Sequence, residues 1–198
     1  MMFTAKDVMT LRQRTGAGMM EAKKALEETK GDMDKAAEAL RVKGIAKADK
    51  RSGKQTSEGV ITSYIHHNGK VGVMVEVNCE TDFVARTDDF KSLAREIALH
   101  IASAAPVAID KDGVAVEKVE VERRIAEEQA RASGKPDNIV QRMVQGKVDK
   151  YYEQNCLVYQ PYVREPSKTI ADLIKETSAK VGENIQVRRF VRFQMGEE

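Results

Sequence analysis

Valine occupies every second position from Val71 to Val77. In an extended chain successive side chains alternate between faces, so Val71, Val73, Val75 and Val77 share one side of a strand. Just ahead of them stands Asn68-Gly69, a pair suited to a two-residue hairpin turn in which both residues take positive φ. The preceding residues 60–67 then supply the partner strand. This register sets Tyr64 opposite Val73 and Val60 opposite Val77, and it leaves one dry face that needs a cover.

Phe90, Leu93, Ala94, Ile97, Ala98 and Ile101 recur on one helical stripe, which predicts a covering helix over residues 88–104 with Thr87 as its cap and Pro106 just beyond its end. Farther on, two charged helical segments, residues 117–132 and 136–154, are separated by Gly134-Lys135-Pro136, and the proline suits a helix start. A last helix spans residues 168–181. Ile185, Val187, Val191, Phe193 and Met195 alternate with Gln186, Arg188, Arg192 and Gln194, which predicts a final strand added to the hairpin. Arg189 and Phe190 break the strict alternation. These elements form an α+β core over residues 58–198, with an antiparallel sheet of about three strands, helices covering it, and an inserted helical segment near 117–154.

The N-terminal residues 1–44 read as three short helices. Thr4 is placed to cap the first, and Asp7 favours its positive dipole end. Val8 and Leu11 form the inner side of that helix. After the break at Thr15-Gly16-Ala17-Gly18, the stripe continues with Ala22, Ala25 and Leu26, and Gly31-Asp32 marks a restart. Met33, Ala36, Ala37 and Leu40 then recur at helical spacing, with Gly44 expected to end the third helix. Residues 45–57 carry mostly basic charge and read as a linker or a solvated helix.

Charge excludes little else. The 198 residues hold 33 basic and 31 acidic side chains, a net charge of +2, so nucleic acid is not favoured as the main partner. No stretch reaches the roughly 20 apolar residues of a membrane helix, and no secretory signal is visible, which predicts a cytoplasmic chain with no membrane association. Cys79 and Cys156 form neither a disulfide framework nor a C-x-x-C metal pair. Gly16-Ala17-Gly18 follows a helix and lacks the third glycine of a dinucleotide fingerprint, and no phosphate-binding loop occurs elsewhere. No direct nucleotide binding, cofactor or metal site is therefore expected. The hairpin register sets His66 and His67 roughly 25 Å from Cys79, too far for a shared metal.

Two sets of residues point to a partner. Consecutive helical positions differ by about 100 degrees, so with Ala22, Ala25 and Leu26 inside, Met19 and Met20 cannot both be core, and an exposed flexible methionine is adhesive. Asp82-Phe83 directly follows the valine strand. By itself Phe83 fits either packing beneath the helix entry or exposure at a loop tip. The adjoining Asp82 favours exposure, since burying the pair would desolvate a carboxylate.

Three runs, Leu11-Arg12-Gln13-Arg14-Thr15-Gly16-Ala17-Gly18-Met19-Met20, Asn78-Cys79-Glu80-Thr81-Asp82-Phe83-Val84 and Gly182-Glu183-Asn184-Ile185-Gln186-Val187-Arg188-Arg189, together resemble bacterial elongation factor Ts in its short form. The resemblance spans nearly the whole chain. It implies a guanine-nucleotide exchange factor, not a bond-making enzyme, that promotes GDP release from elongation factor Tu. It also implies an N-terminal domain of ubiquitin-associated type docking through Arg12, Met19, Met20 and Lys23. Thr81, Asp82, Phe83 and Val84 match the family's intruding segment, in which the phenylalanine enters between partner helices and the aspartate disturbs the magnesium region. His66 matches a histidine that approaches another partner domain. Longer family members hold two related core halves where this chain has room for one, which implies a homodimer carrying two partner molecules, held by packing because no cysteine lies in the last strand.

Two other classes compete on the residues alone. An RNA- or protein-binding module without exchange activity draws on the helical domain and the basic stretch from Arg41 to Lys54. A cysteine or metal enzyme draws on Cys79 with a base such as His100.

Overall fold

The computed structural model describes residues 3–197 and shows an α+β fold. Its helices are α1 (Ala5–Thr15), α2 (Met19–Glu28), α3 (Met33–Arg51), α4 (Asp82–Ala85), α5 (Asp88–Ala104), α6 (Val116–Ala132), α7 (Asp137–Asn155) and α8 (Ile170–Val181). Its strands are β1 (Glu58–Ile65), β2 (Val71–Cys79), β3 (Pro161–Tyr162), β4 (Glu165–Thr169) and β5 (Gln186–Gln194). The main sheet has the order β1-β2-β5, so the last strand does join the hairpin. No helix among the described residues is long and apolar enough to cross a membrane. The chain divides into two compact units.

The first unit comprises the described part of Met1–Ser63 with Met74–Glu96 and Asp172–Phe190. Its N-terminal helices close around Val8, Leu11, Ala22, Ala25, Leu26, Ala36 and Leu40. The expected cap is present as a reciprocal pair: Asp7 N–H donates to Thr4 Oγ1 at 3.3 Å, and Thr4 N–H donates to Asp7 Oδ2 at 2.7 Å. The Thr4 amide first, and the Thr4 hydroxyl second, donate to the Asp7 carboxylate and hold it below its ordinary range. Asp32 caps α3 by accepting from the amides of Asp34 and Lys35.

The third helix does not end at Gly44. It runs on to Arg51, so the basic stretch is mostly helical. Gly44 serves a different purpose from the one expected: a Cβ at this position would stand 2.9 Å from the Ala179 Cβ of α8. The glycine lets two helices approach, and it does not punctuate one. Two ion pairs flank this crossing, Arg41 with Glu176 at 3.5 Å and Lys175 with Asp49 at 2.9 Å.

Burial along β2 follows the valine pattern, with Val73, Val75 and Val77 inside and Val71 half-buried. All six residues of the α5 stripe are buried, and the helix occupies the expected 88–104. Thr87 caps it, its hydroxyl accepting from Phe90 N–H at 3.3 Å.

The second unit comprises Tyr64–Val73, Ile97–Ala171 and the described part of Val191–Glu198. Its hairpin turn departs from the expected geometry. Gly69 N–H donates to His66 O at 2.8 Å and His66 N–H donates to Val71 O at 2.9 Å, so the tight turn spans His66 to Gly69. Only Gly69 has positive φ, at 67°. Asn68 instead offers its side-chain oxygen to Lys70 N–H at 3.0 Å, the local bond that makes asparagine favourable in turns. His66 still stands opposite Val71, and the predicted register survives.

In the same unit α6 and α7 pack through Ala126, Ala130, Val140 and Val144, and Pro136 sits just before α7, not within it. The short β3-β4 hairpin was not expected. Its second strand reads Glu-Pro-Ser-Lys-Thr, with a proline and no alternation, the composition of an edge strand. His100 is fully buried: its Nε2 lies 3.0 Å from Gln160 Oε1, and its Nδ1 accepts from Val163 N–H at 3.4 Å. Burial pushes its pKa down, and the two bonds select the neutral imidazole protonated at Nε2.

A change of phase underlies the break in the last strand. Val187 is buried, Arg188 and Arg189 are both exposed, and from Phe190 onward the phase inverts. Phe190, Arg192 and Gln194 become the half-buried set, while Val191, Phe193 and Met195 face outward. One uncompensated residue flips every side chain beyond it. Arg192 is satisfied in the inward phase by Ala102 O at 3.4 Å and Glu197 at 2.7 Å.

Candidate partner-binding site

Strand β2 closes at Cys79, whose side chain is buried and donates to Thr81 O at 3.2 Å. Burial pushes its thiol up to about 11. It stays protonated at neutral pH, and a thiol without its thiolate is a poor nucleophile. Among the described residues no group of three or more His, Cys, Asp or Glu side chains could hold a metal ion.

Beyond Cys79 the backbone leaves the sheet and enters α4, a single helical turn. Asp82 and Phe83 are therefore not at a loop tip, as expected, but in the first turn of a helix. Thr81 is its N-cap, with its hydroxyl 3.5 Å from Val84 N–H. At about 100 degrees per residue the four side chains of the turn cannot all face inward. Val84 and Ala85 are buried and anchor the turn, and Phe83 stands 79% exposed. Of the four residues matched to the intruding segment, Val84 thus packs inward, whereas Phe83 is presented to solvent. Half-exposed Asp82 pairs with Arg86 at 2.8 Å; such surface pairs contribute about 0–1 kcal/mol, so the carboxylate is easily released to another partner.

The entry to α4 is held by carboxylates. Glu183 Oε2 accepts from the amides of Glu80 at 3.1 Å and Thr81 at 3.0 Å, and its Oε1 accepts from the Thr81 hydroxyl at 2.6 Å. Glu80 returns the arrangement by accepting from Asn184 N–H at 2.7 Å. Arg51, at the end of α3, donates to both oxygens of Glu80. The Arg51 guanidinium first, and the Asn184 amide second, hold the Glu80 carboxyl below its ordinary range, while Arg51 is raised in turn. Asn184 Nδ2 donates to Ser52 O and Lys54 O. Arg51, Glu80 and Glu183 were not singled out from the sequence, because their partners are more than 25 residues away. The one available signal was that Glu80 and Glu183 lie inside two of the three distinctive runs.

In the N-terminal helices of the same unit, Met19 is 42% and Met20 74% exposed, so neither is core and both side chains are available. Arg12 and Lys23 are exposed as well, Lys23 only loosely paired with Glu27 at 3.8 Å. Arg12 lines a shallow depression with Met9, Gln13 and Gly16. Met9 is exposed as well, beside inward Val8 and one turn before Arg12, a placement its helical position implies. His66 belongs to the second unit. It is half-buried at the hairpin turn, with Nδ1 3.1 Å from Tyr64 OH and its ring centroid 4.2 Å from that of His67.

Comparison with known proteins gives a single answer. A family model described as elongation factor TS matches residues 3–197. The elongation factor Ts of Carboxydothermus hydrogenoformans is 53% identical over 196 residues, covering 99% of this chain and 90% of that protein. The elongation factor Ts of Fervidobacterium nodosum is 51% identical over 197 residues, with 100% of both chains covered. A family match over residues 3–197, with half or more of all positions identical to relatives along the full length, means that this chain belongs to the elongation factor Ts family.

Proposed function

We propose that the protein is a cytoplasmic translation elongation factor that promotes GDP release from elongation factor Tu, acting as a nucleotide exchange factor and not as a catalyst of bond making or breaking. The observation that carries this reading is Phe83, a large apolar side chain held out to solvent on a turn whose backbone is fixed at its entry.

Exchange demands differential affinity. A factor that bound the loaded and emptied partner equally would shift nothing, and by linkage it weakens nucleotide as much as nucleotide weakens it. Phe83 supplies such a difference if its pocket opens only in the emptied partner. Burial of one aromatic ring is worth about 1.5–3 kcal/mol, which is roughly ten- to a hundredfold in affinity. Asp82, released from Arg86, would compete electrostatically with the ligands around a bound magnesium ion. Arg12, Met19, Met20 and Lys23 form the docking surface of the ubiquitin-associated-like N-terminal domain, and His66 is a separate contact on the second unit.

The exchange reading is preferred to RNA binding because the net charge is only +2 and most basic residues of α3 already face carboxylates. Lys43 pairs with Glu28 at 3.2 Å, Lys47 with Glu21, Arg51 with Glu80 and Arg41 with Glu176. In the second unit Ile65, Val191, Phe193 and Met195 are all exposed, and we propose that this apolar surface is covered in a homodimer. Both cysteines are buried and free, so packing alone would hold it; a monomer by light scattering at micromolar concentration would reject the dimer.

Stopped-flow release of labelled GDP tests the exchange reading. Phe83→Ala should slow stimulated release by ten- to a hundredfold, roughly the contribution of the lost ring. Unchanged kinetics would reject the role.

A further inference from the structure

We propose that Glu183 is a positioning residue for the Phe83 site, fixing the backbone from which α4 projects the ring. Its consequence for exchange rests on the function proposed above; its mechanical part does not.

A four-residue helix has no stability of its own, because nucleation costs more than one turn returns. The direction in which α4 points is therefore set by its anchors. On the C-terminal side these are buried Val84 and Ala85. On the N-terminal side the amides of Glu80 and Thr81 lie just past the end of β2, and one carboxylate, Glu183, takes both of them together with the Thr81 hydroxyl. Thr81 is in turn the cap of α4. Glu183 is itself restrained, since its carbonyl accepts from the Ser178 hydroxyl of α8 and its neighbour Asn184 donates to Glu80. The dipeptides Glu80-Thr81 and Glu183-Asn184 thus exchange carboxylate-to-amide bonds in both directions.

Thr81 is exposed, so water can replace the two bonds that Glu183 makes to it, and their loss costs little net stability. Water cannot replace the geometry. Three acceptor contacts from one rigidly held group define where the cap sits, and small displacements at a docking group are costly out of proportion to their size.

The chain contains no tryptophan, so Phe83→Trp creates a unique fluorophore at the site itself. In that background, Glu183→Ala should speed the local anisotropy decay of the indole, and Glu183→Asp, which keeps the charge but shortens the reach, should do the same. Glu183→Gln keeps an oxygen for both amides and should stay close to the parent. With Phe83 retained, Glu183→Ala and Glu183→Asp should lower the maximal rate of GDP release from elongation factor Tu by about tenfold, with half-saturation shifting less than about twofold and Glu183→Gln restoring the rate. Unchanged indole mobility in both Glu183→Ala and Glu183→Asp overturns the positioning role. So does the reverse order, with Glu183→Asp intact and Glu183→Gln impaired, which would assign a direct effect of charge. Loosened indole with unaltered release overturns the link to exchange. If the unmodified protein fails to stimulate release, the exchange reading falls while the anisotropy measurements still decide the positioning.

Discussion

Arg51 Nε and Nη2 donate to the two carboxylate oxygens of Glu80 at 3.0 and 2.7 Å, joining the last turn of the long N-terminal helix to the residue that precedes the α4 cap. The contact spans 29 residues of sequence and ends three positions before Phe83. It is a fork-to-fork pair, the geometry in which arginine and lysine are least interchangeable.

Arg51→Lys should therefore not behave as a conservative change. A lysine ammonium reaches one oxygen of Glu80 as a point charge and leaves the other without its guanidinium bond, though Asn184 N–H still satisfies Oε1. Thermal melts should show a lower Tm than the parent protein. A Tm equal to that of the parent would show that the second bond contributes nothing.

Phe83 and Met20 separate function from stability. Both are about three-quarters exposed or more, and substitutions at such positions usually change stability by less than about 0.5 kcal/mol. Phe83→Ala and Met20→Ala should unfold in denaturant at the parental midpoint while weakening engagement of the partner, as read by titration calorimetry. A large drop in midpoint at either position would mean that the side chain supports its own subunit.

Two glycines within helices should respond oppositely to alanine. At Gly146 in α7 nothing lies within 4 Å of an added Cβ, so Gly146→Ala should stabilise by about 0.5–1 kcal/mol through helix propensity. At Gly44 the same gain is set against a Cβ 2.9 Å from Ala179, and overpacking costs about 1–3 kcal/mol. The clash wins, so Gly44→Ala should destabilise. Chemical denaturation of the pair checks the sign of each.

Buried His100 makes stability depend on pH. Its pKa in the fold lies below the ordinary value of 6.5 because burial disfavours the imidazolium. Above 6.5 both folded and unfolded chains hold it neutral, and its contribution is fully present. As pH falls below 6.5 the unfolded chain takes up a proton that the folded chain refuses, so stability declines through that window until the folded pKa is passed. Glu76 and Glu80 are depressed carboxylates, held by Arg189 and Arg51 respectively, and their contributions are lost only below about 4.5. Denaturant titrations between pH 7.5 and 5.5 should show the decline, and His100→Gln should remove it.

Much of the chain was legible before folding because its signals are local. The valine alternation of β2, the α5 stripe over residues 88–104 and the Thr4-Asp7 cap depend on side chains within a few positions of one another, and each emerged as read. Gly44 and the β5 phase change were misread or unexplained for one shared reason: a helix neighbour 135 residues away and a break after Val187 carry no periodic signature.

Sequence alone determined that a large aromatic residue follows an apolar strand beside a carboxylate, and that two methionines occupy helical positions that cannot both be buried. Tertiary structure decided which way those side chains point. Phe83 faces solvent because Val84 and Ala85 take the inward side of a single turn, and because Glu183, about a hundred residues away in the chain, pins the start of that turn. Local propensity sets which conformations a segment can adopt, whereas only contacts between distant segments select the one in which it is held.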